Sequence, residues 1–171
     1  WILGSVLTFL VVMGLADLFG SNPFKSFWSN YERMEGYITI LHLGAYFLVM
    51  SSVLKAQSTW NKLLGTTLGA SFIMAIYSFF QIAGKIVINQ GGVRVDGTLG
   101  NASYLGIYMV FHIFFAALLF VRSKQSWQKV LLSVVALADL VVLYFTATRG
   151  AILGLLGGPL IPFLFLLIKS K

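Results

Sequence analysis

The run VLLSVVALADLVVLYFTATRG, residues 130–150, carries one acid, Asp139, and no base until Arg149. A helix rises about 1.5 Å per residue, so crossing ~30 Å of hydrocarbon takes roughly 17–25 apolar residues. The stretch up to Thr148 meets that length. It does not alternate apolar and polar positions, as a strand of a membrane barrel would. Five more runs read the same way, at residues 1–16, 37–54, 63–84, 104–121 and 151–168. Together they predict an all-α integral membrane protein, a polytopic bundle of about six transmembrane helices. Composition agrees: 58% of residues are apolar and 10% charged, too little polar surface to cover a water-soluble globule, where roughly half and a quarter are usual.

The sequence holds no cysteine, which excludes disulfides, thiolate catalysis and cysteine-based metal sites. It opens at Trp1 inside an apolar run with no basic segment before it. We therefore expect no signal peptide, and a piece of a longer polytopic protein.

The connections between spans differ in charge. Residues 55–62 (KAQSTWNK), 122–129 (RSKQSWQK) and 169–171 carry Lys55, Lys62, Arg122, Lys124, Lys129, Lys169 and Lys171, and no acid. On the other side lie the loops 17–36 and 85–103 and the turn at Arg149, where cations and acids are mixed. Short basic loops stay in the cytoplasm, so both ends are expected there and the two long loops outside. The net charge of +7 is then a topology signal rather than a nucleic-acid footprint. Trp60 and Trp127 are expected as interfacial anchors.

The outer segments hold the chemistry. In residues 17–37, Asn22-Pro23 breaks a helix, and Phe24, Phe27, Trp28 and Tyr31 suit a short helix in the headgroup layer. Glu32, Arg33 and Glu35 follow. In residues 85–103, glycines permit tight turns, residues 93–95 read as extended, and Asn101 or Ser103 is expected to cap the next helix. Open amides at that helix start would suit a phosphate, and Arg94 would add a bidentate, permanently charged partner; an ordinary capped helix after a flexible loop is the competing reading. Arg149, in Thr146-Ala-Thr-Arg-Gly150, reaches the same face as Arg94. Two arginines suit a diphosphate; snorkelling of Arg149 to lipid phosphates is the plainer alternative.

Three ionisable groups fall inside spans: His42, His112 and Asp139. Interhelical hydrogen bonds are expected for the histidines. An acid within a span is a functional candidate by default, and a protonated Asp139 or one bonded to a neighbouring helix fits equally. No metal-ligand spacing is present, so neither a metal nor another cofactor is expected.

Three segments, FGSNPFKSFWSNYERMEGY (19–37), RVDGTLGNASYLGIY (94–108) and TATRGAILG (146–154), together resemble the O-antigen ligase and polymerase superfamily of bacterial membrane glycosyltransferases. That family often carries an Arg, then Gly-x-x-Gly-Asn-Pro-Asn before a helix, and later Thr-x-Ser-Arg-Gly-Ala. Here Ala102-Ser103 stands in place of Pro-Asn, and Thr148 in place of Ser. The resemblance implies a GT-C-like helical bundle in the bacterial inner membrane. It implies metal-independent transfer of a glycan from undecaprenyl diphosphate to a glycan, lipid or protein hydroxyl on the outer side. Arg94 and Arg149 would bind the donor diphosphate, with Glu32, Arg33, Asn101 and Thr148 in support. The general-base His of the family is expected beyond residue 171, so no catalytic residue is assigned within the chain. Within the superfamily, an O-linked oligosaccharyltransferase or a glycan polymerase fits as well. From another class, a membrane transporter subunit would use Asp139, His112 and the Gly-rich loop as a solute path.

Overall fold

The computed structural model describes residues 1–30, 35–90, 92–161, 165 and 168. Among these the protein is all-α, with seven α-helices: α1 (Ile2–Leu18), α2 (Pro23–Trp28), α3 (Tyr37–Val53), α4 (Gln57–Ile82), α5 (Ala102–Arg122), α6 (Ser126–Phe145) and α7 (Arg149–Gly157). One 3₁₀ turn, Gly97–Leu99, precedes α5. Three helices, α4, α5 and α6, are long and apolar enough to cross a membrane. Only 28%, 28% and 22% of their apolar windows are buried, so most of each surface needs lipid or further helices around it. These mark a membrane protein.

The chain divides into two compact units, residues 1–60 and 61–171. In the first, α1, α2 and α3 pack on one another. Tyr37 Oη donates to Leu10 O at 2.7 Å, crossing from α3 to α1. Gly44 lets Leu10 approach; a Cβ there would meet Leu10 Cδ1 at 2.6 Å. The short helix expected between residues 17 and 37 is present as α2, six residues long, with Asn22 accepting from Lys25 N. Its Phe24 and Trp28 are exposed, while Phe27 lies 6.0 Å from the Tyr37 ring. Tyr31 lies outside the described residues. Trp60 Nε1 donates to Leu54 O at 2.8 Å and so caps a carbonyl at the end of α3.

In the second unit α5 and α6 form the closest pair. α4 meets them through side chains: Ala75 joins Leu105, Met109, Val142 and Leu143 in one core, and Leu68 joins Ala116 and Val135 in another. Small residues recur at these contacts, as they do where helices pack without water to drive them together.

Element ends differ from the hydropathy runs for local reasons. α4 starts at Gln57 rather than 63, because polar residues extend a helix into the headgroup layer without raising hydropathy. It stops short of Gly84, whose φ of 68° is left-handed. α6 ends at Phe145 rather than 148, because Ala147 takes φ 49°. α1 and α3 are apolar but 17 residues each, below the length of the three long helices. The run expected over 151–168 begins as α7, which ends at Gly157 before a turn at Gly158-Pro159.

Candidate functional site

The loop between α4 and α5 is folded around a buried acid. Gln81, the penultimate residue of α4, is 3% exposed, and Asp96 is fully buried. Gln81 Nε2 donates to Asp96 Oδ1 at 2.7 Å and to Val87 O at 3.1 Å. Gln81 Oε1 accepts from Gly97 N at 2.8 Å. Gln90 N donates to Asp96 Oδ2 at 2.7 Å, and Gln90 Oε1 accepts from Ala102 N at 2.8 Å. A buried carboxylate needs such donors, since leaving it unpaired costs several kcal/mol. Here they also fix the loop that carries Arg94. Residues 93–95 form no strand; they bend, and Val95 N bonds to Phe145 O at 3.2 Å.

The start of α5 is closed. Asn101, not Ser103, is the cap, its Oδ1 accepting from Ser103 N at 2.8 Å and Tyr104 N at 3.2 Å. Ala102 N is taken by Gln90, and Leu105 N bonds to Asn101 O. The first-turn amides all have acceptors within the protein. The expectation of open amides cradling a phosphate here is thus corrected: GTLGNASY caps and packs. Gly97, with φ 58°, is buried against Met74 and Leu105.

The corner between α6 and α7 is built by TATRG. Thr146 is fully buried, and its Oγ1 donates to Leu143 O at 2.7 Å. Ala147 turns the chain with its positive φ, Thr148 is extended, and Arg149 is the first residue of α7. Arg94 holds this corner: its Nε donates to Thr146 O at 2.9 Å and its Nη2 to Thr148 Oγ1 at 3.1 Å. Thr148 Oγ1 in turn donates to Ala102 O at 3.1 Å. Gly106 allows α5 this close; a Cβ there would meet Thr146 Oγ1 at 3.0 Å and Thr148 Cβ at 3.1 Å.

Arg94 and Arg149 come together in one groove of about 510 Å³, whose walls are Val93, Tyr144, Phe145, Ala147 and Ile152. Arg94 is half-buried and Arg149 exposed. A guanidinium has five N–H donors, so Arg94 keeps three beyond the two that bind the corner. Arg149 stands at the positive end of the α7 dipole, an arrangement worth roughly 0.3–1 kcal/mol against it and relieved by an anion. The groove therefore offers one held cation, Arg94, and one exposed cation, Arg149, beside apolar residues, a match for an anionic group attached to a hydrocarbon chain.

Other sequence candidates go elsewhere. Thr148 supports Arg94 directly, and Asn101 sits at the cap rather than on the groove wall. Glu32 and Arg33 lie outside the described residues. Among the described residues neither histidine makes the interhelical bond expected of it: His42 Nδ1 meets Ile38 O and His112 Nδ1 meets Tyr108 O, each at 2.7 Å within its own helix. Buried His112 also stacks against Tyr108, with ring centroids 4.0 Å apart. Of the two readings of Asp139, the interhelical bond is seen: Ser71 Oγ on α4 donates to its Oδ2 at 2.7 Å. Asp139 Oδ1 is buried with no hydrogen-bond partner among the described residues. No group of three or more His, Asp or Glu suited to a metal occurs among the described residues.

Sequence reasoning missed Gln81, Gln90 and the buried role of Asp96. The available signal was Gln81 itself, an amide closing an apolar span with the glycine turn still ahead of it. Comparisons of the chain with family models, curated proteins and solved structures found no match.

Proposed function

We propose that this chain is part of a membrane glycosyltransferase of the O-antigen ligase type, and that Arg94 and Arg149 bind the diphosphate of a polyprenyl-linked glycan donor. In this reading the protein is a GT-C-like bundle of about six spans in the bacterial inner membrane, both ends of the chain cytoplasmic and the groove on the outer face.

One observation carries the reading: Arg94 and Arg149, distant in sequence, line the same groove. A polyprenyl diphosphate needs cations for its phosphates and an apolar surface for its first isoprene units. Tyr144, Phe145 and Ile152 supply the second beside the two arginines. When the glycan leaves, negative charge grows on the diphosphate, and preorganised guanidinium groups stabilise that charge more than they stabilise the bound donor. Arg94 is preorganised because Thr146 O and Thr148 Oγ1 hold it. The acceptor is a glycan, lipid or protein hydroxyl, and no residue of this chain is assigned as the base that deprotonates it.

Removing one such donor costs roughly a hundredfold or more in rate. Arg94→Ala and Arg149→Ala in the intact protein should each abolish detectable transfer from an undecaprenyl-diphosphate-linked glycan while membrane insertion persists. Arg149→Lys, a point charge without the bidentate fork, should retain part of the activity. Normal transfer by both alanine variants rules the reading out.

A further inference from the structure

The turn between α5 and α6 lies at the far end of the second unit from the Arg94–Arg149 groove, since α5 runs away from that groove and α6 runs back to it. A separate cavity of about 330 Å³ opens there, its lining including Arg122, Lys124 and Trp127 together with Leu119, Leu131 and Leu132. Residues 122–129 contain no acid. Lys129 is turned aside, its Nζ 5.5 Å from the centre of the Phe120 ring, which leaves Arg122 and Lys124 as the cations of the cavity wall. The turn is internally braced: Ser123 Oγ donates to Gln128 Oε1 at 2.6 Å, and Arg122 Nη1 reaches Asn61 Oδ1 at 3.4 Å.

We propose that this cavity binds the headgroup of an anionic phospholipid. The phosphate sits against Arg122 and Lys124, and the first acyl carbons lie on Leu119, Leu131 and Leu132. Cations that merely snorkel to bulk headgroups need no shared cavity; here two of them share one with three leucines in its wall. Inorganic phosphate would leave that wall in water, so the apolar half of the cavity selects a lipid. Trp127, 63% exposed, stands where indoles mark the membrane boundary. Basic pockets between helices at this level are suited to acidic headgroups. The inference requires a membrane and is independent of the glycosyltransferase reading.

The test uses the intact protein in nanodiscs of phosphatidylcholine titrated with phosphatidylglycerol, with bound lipid counted by native mass spectrometry. Phosphatidylglycerol should be retained in preference to phosphatidylcholine. Arg122→Gln and Lys124→Gln should each weaken that retention about fivefold, the equivalent of about 1 kcal/mol per cation near an anionic surface. Lys55→Gln, on another basic loop and outside the cavity wall, should leave it unchanged, and inorganic phosphate should not displace the lipid. Equal retention of both lipids, an equal loss with Lys55→Gln, or displacement by phosphate each overturns the proposal. If one glutamine variant fails to fold, the other carries the same comparison.

Discussion

Asp96 decides the shape of the loop between α4 and α5. Its two oxygens each accept a hydrogen bond at 2.7 Å, one from a side-chain amide and one from a backbone amide. Asp96→Asn would turn one acceptor into a donor. Rotating the Gln81 amide to meet it would set Gln81 Nε2 against Gly97 N–H instead, so one buried donor goes without an acceptor either way. A buried hydrogen bond to a charged group contributes about 1.5–3 kcal/mol. The variant should lose stability by about that much, read as a lower midpoint of thermal unfolding in detergent. An unchanged midpoint would show that water reaches the loop and that the frame is not closed. Nothing in the sequence separates Asp96 from the other acids between the spans, because its burial depends on Gln81 and Gln90 arriving from either side. Arg94 was legible as a candidate because a lone Arg precedes a glycine-rich turn. That it also braces the TATRG corner required the fold.

Among the elements, the α6–α7 corner stores local strain. Ala147 has φ 49°, a conformation costing an L-residue roughly 1–2 kcal/mol. Its side chain lines the groove, and Thr146 and Thr148 on either side are fixed by Arg94. Ala147→Gly removes the steric cost and adds some unfolded-state entropy. The net expectation is a gain of about 1 kcal/mol, measured by thermal unfolding; Ala147→Val, β-branched, should move it the other way. A lower melting point for the glycine variant would contradict the strain. Helix identity was legible wherever apolar runs were long, since lipid demands a satisfied backbone and a helix provides it. Helix ends were less legible, because hydropathy is blind both to the polar first turns of α4 and α6 and to a left-handed alanine.

At the scale of the whole molecule, α5 and α6 span the distance between two ends of different chemistry. One carries the Arg94–Arg149 groove and the other the basic turn at 122–129. A 21-residue helix such as α5 is roughly 30 Å long, the thickness of the hydrocarbon layer. The sequence contains no cysteine, so Ser126→Cys and Ala147→Cys each introduce the only thiol of residues 1–171, to be read against the parent protein labelled alike. Both positions are exposed. An impermeant maleimide should label Ala147→Cys from outside intact cells and Ser126→Cys only after the membrane is opened. Labelling of both from one side would contradict the membrane crossing, and the reverse pattern would invert the orientation.

The sequence by itself determined that this is a helical membrane protein, where its long helices lie, and which cations to watch. Those follow from hydropathy and length, which act locally. Tertiary structure alone decided that Arg94 and Arg149 share a groove, that Arg94 braces the TATRG corner, and that Asp96 is buried. Arg94 depends on Thr146 and Thr148 across two helices and Asp96 on Gln81 at the end of α4, and only packing brings these partners within hydrogen-bond reach.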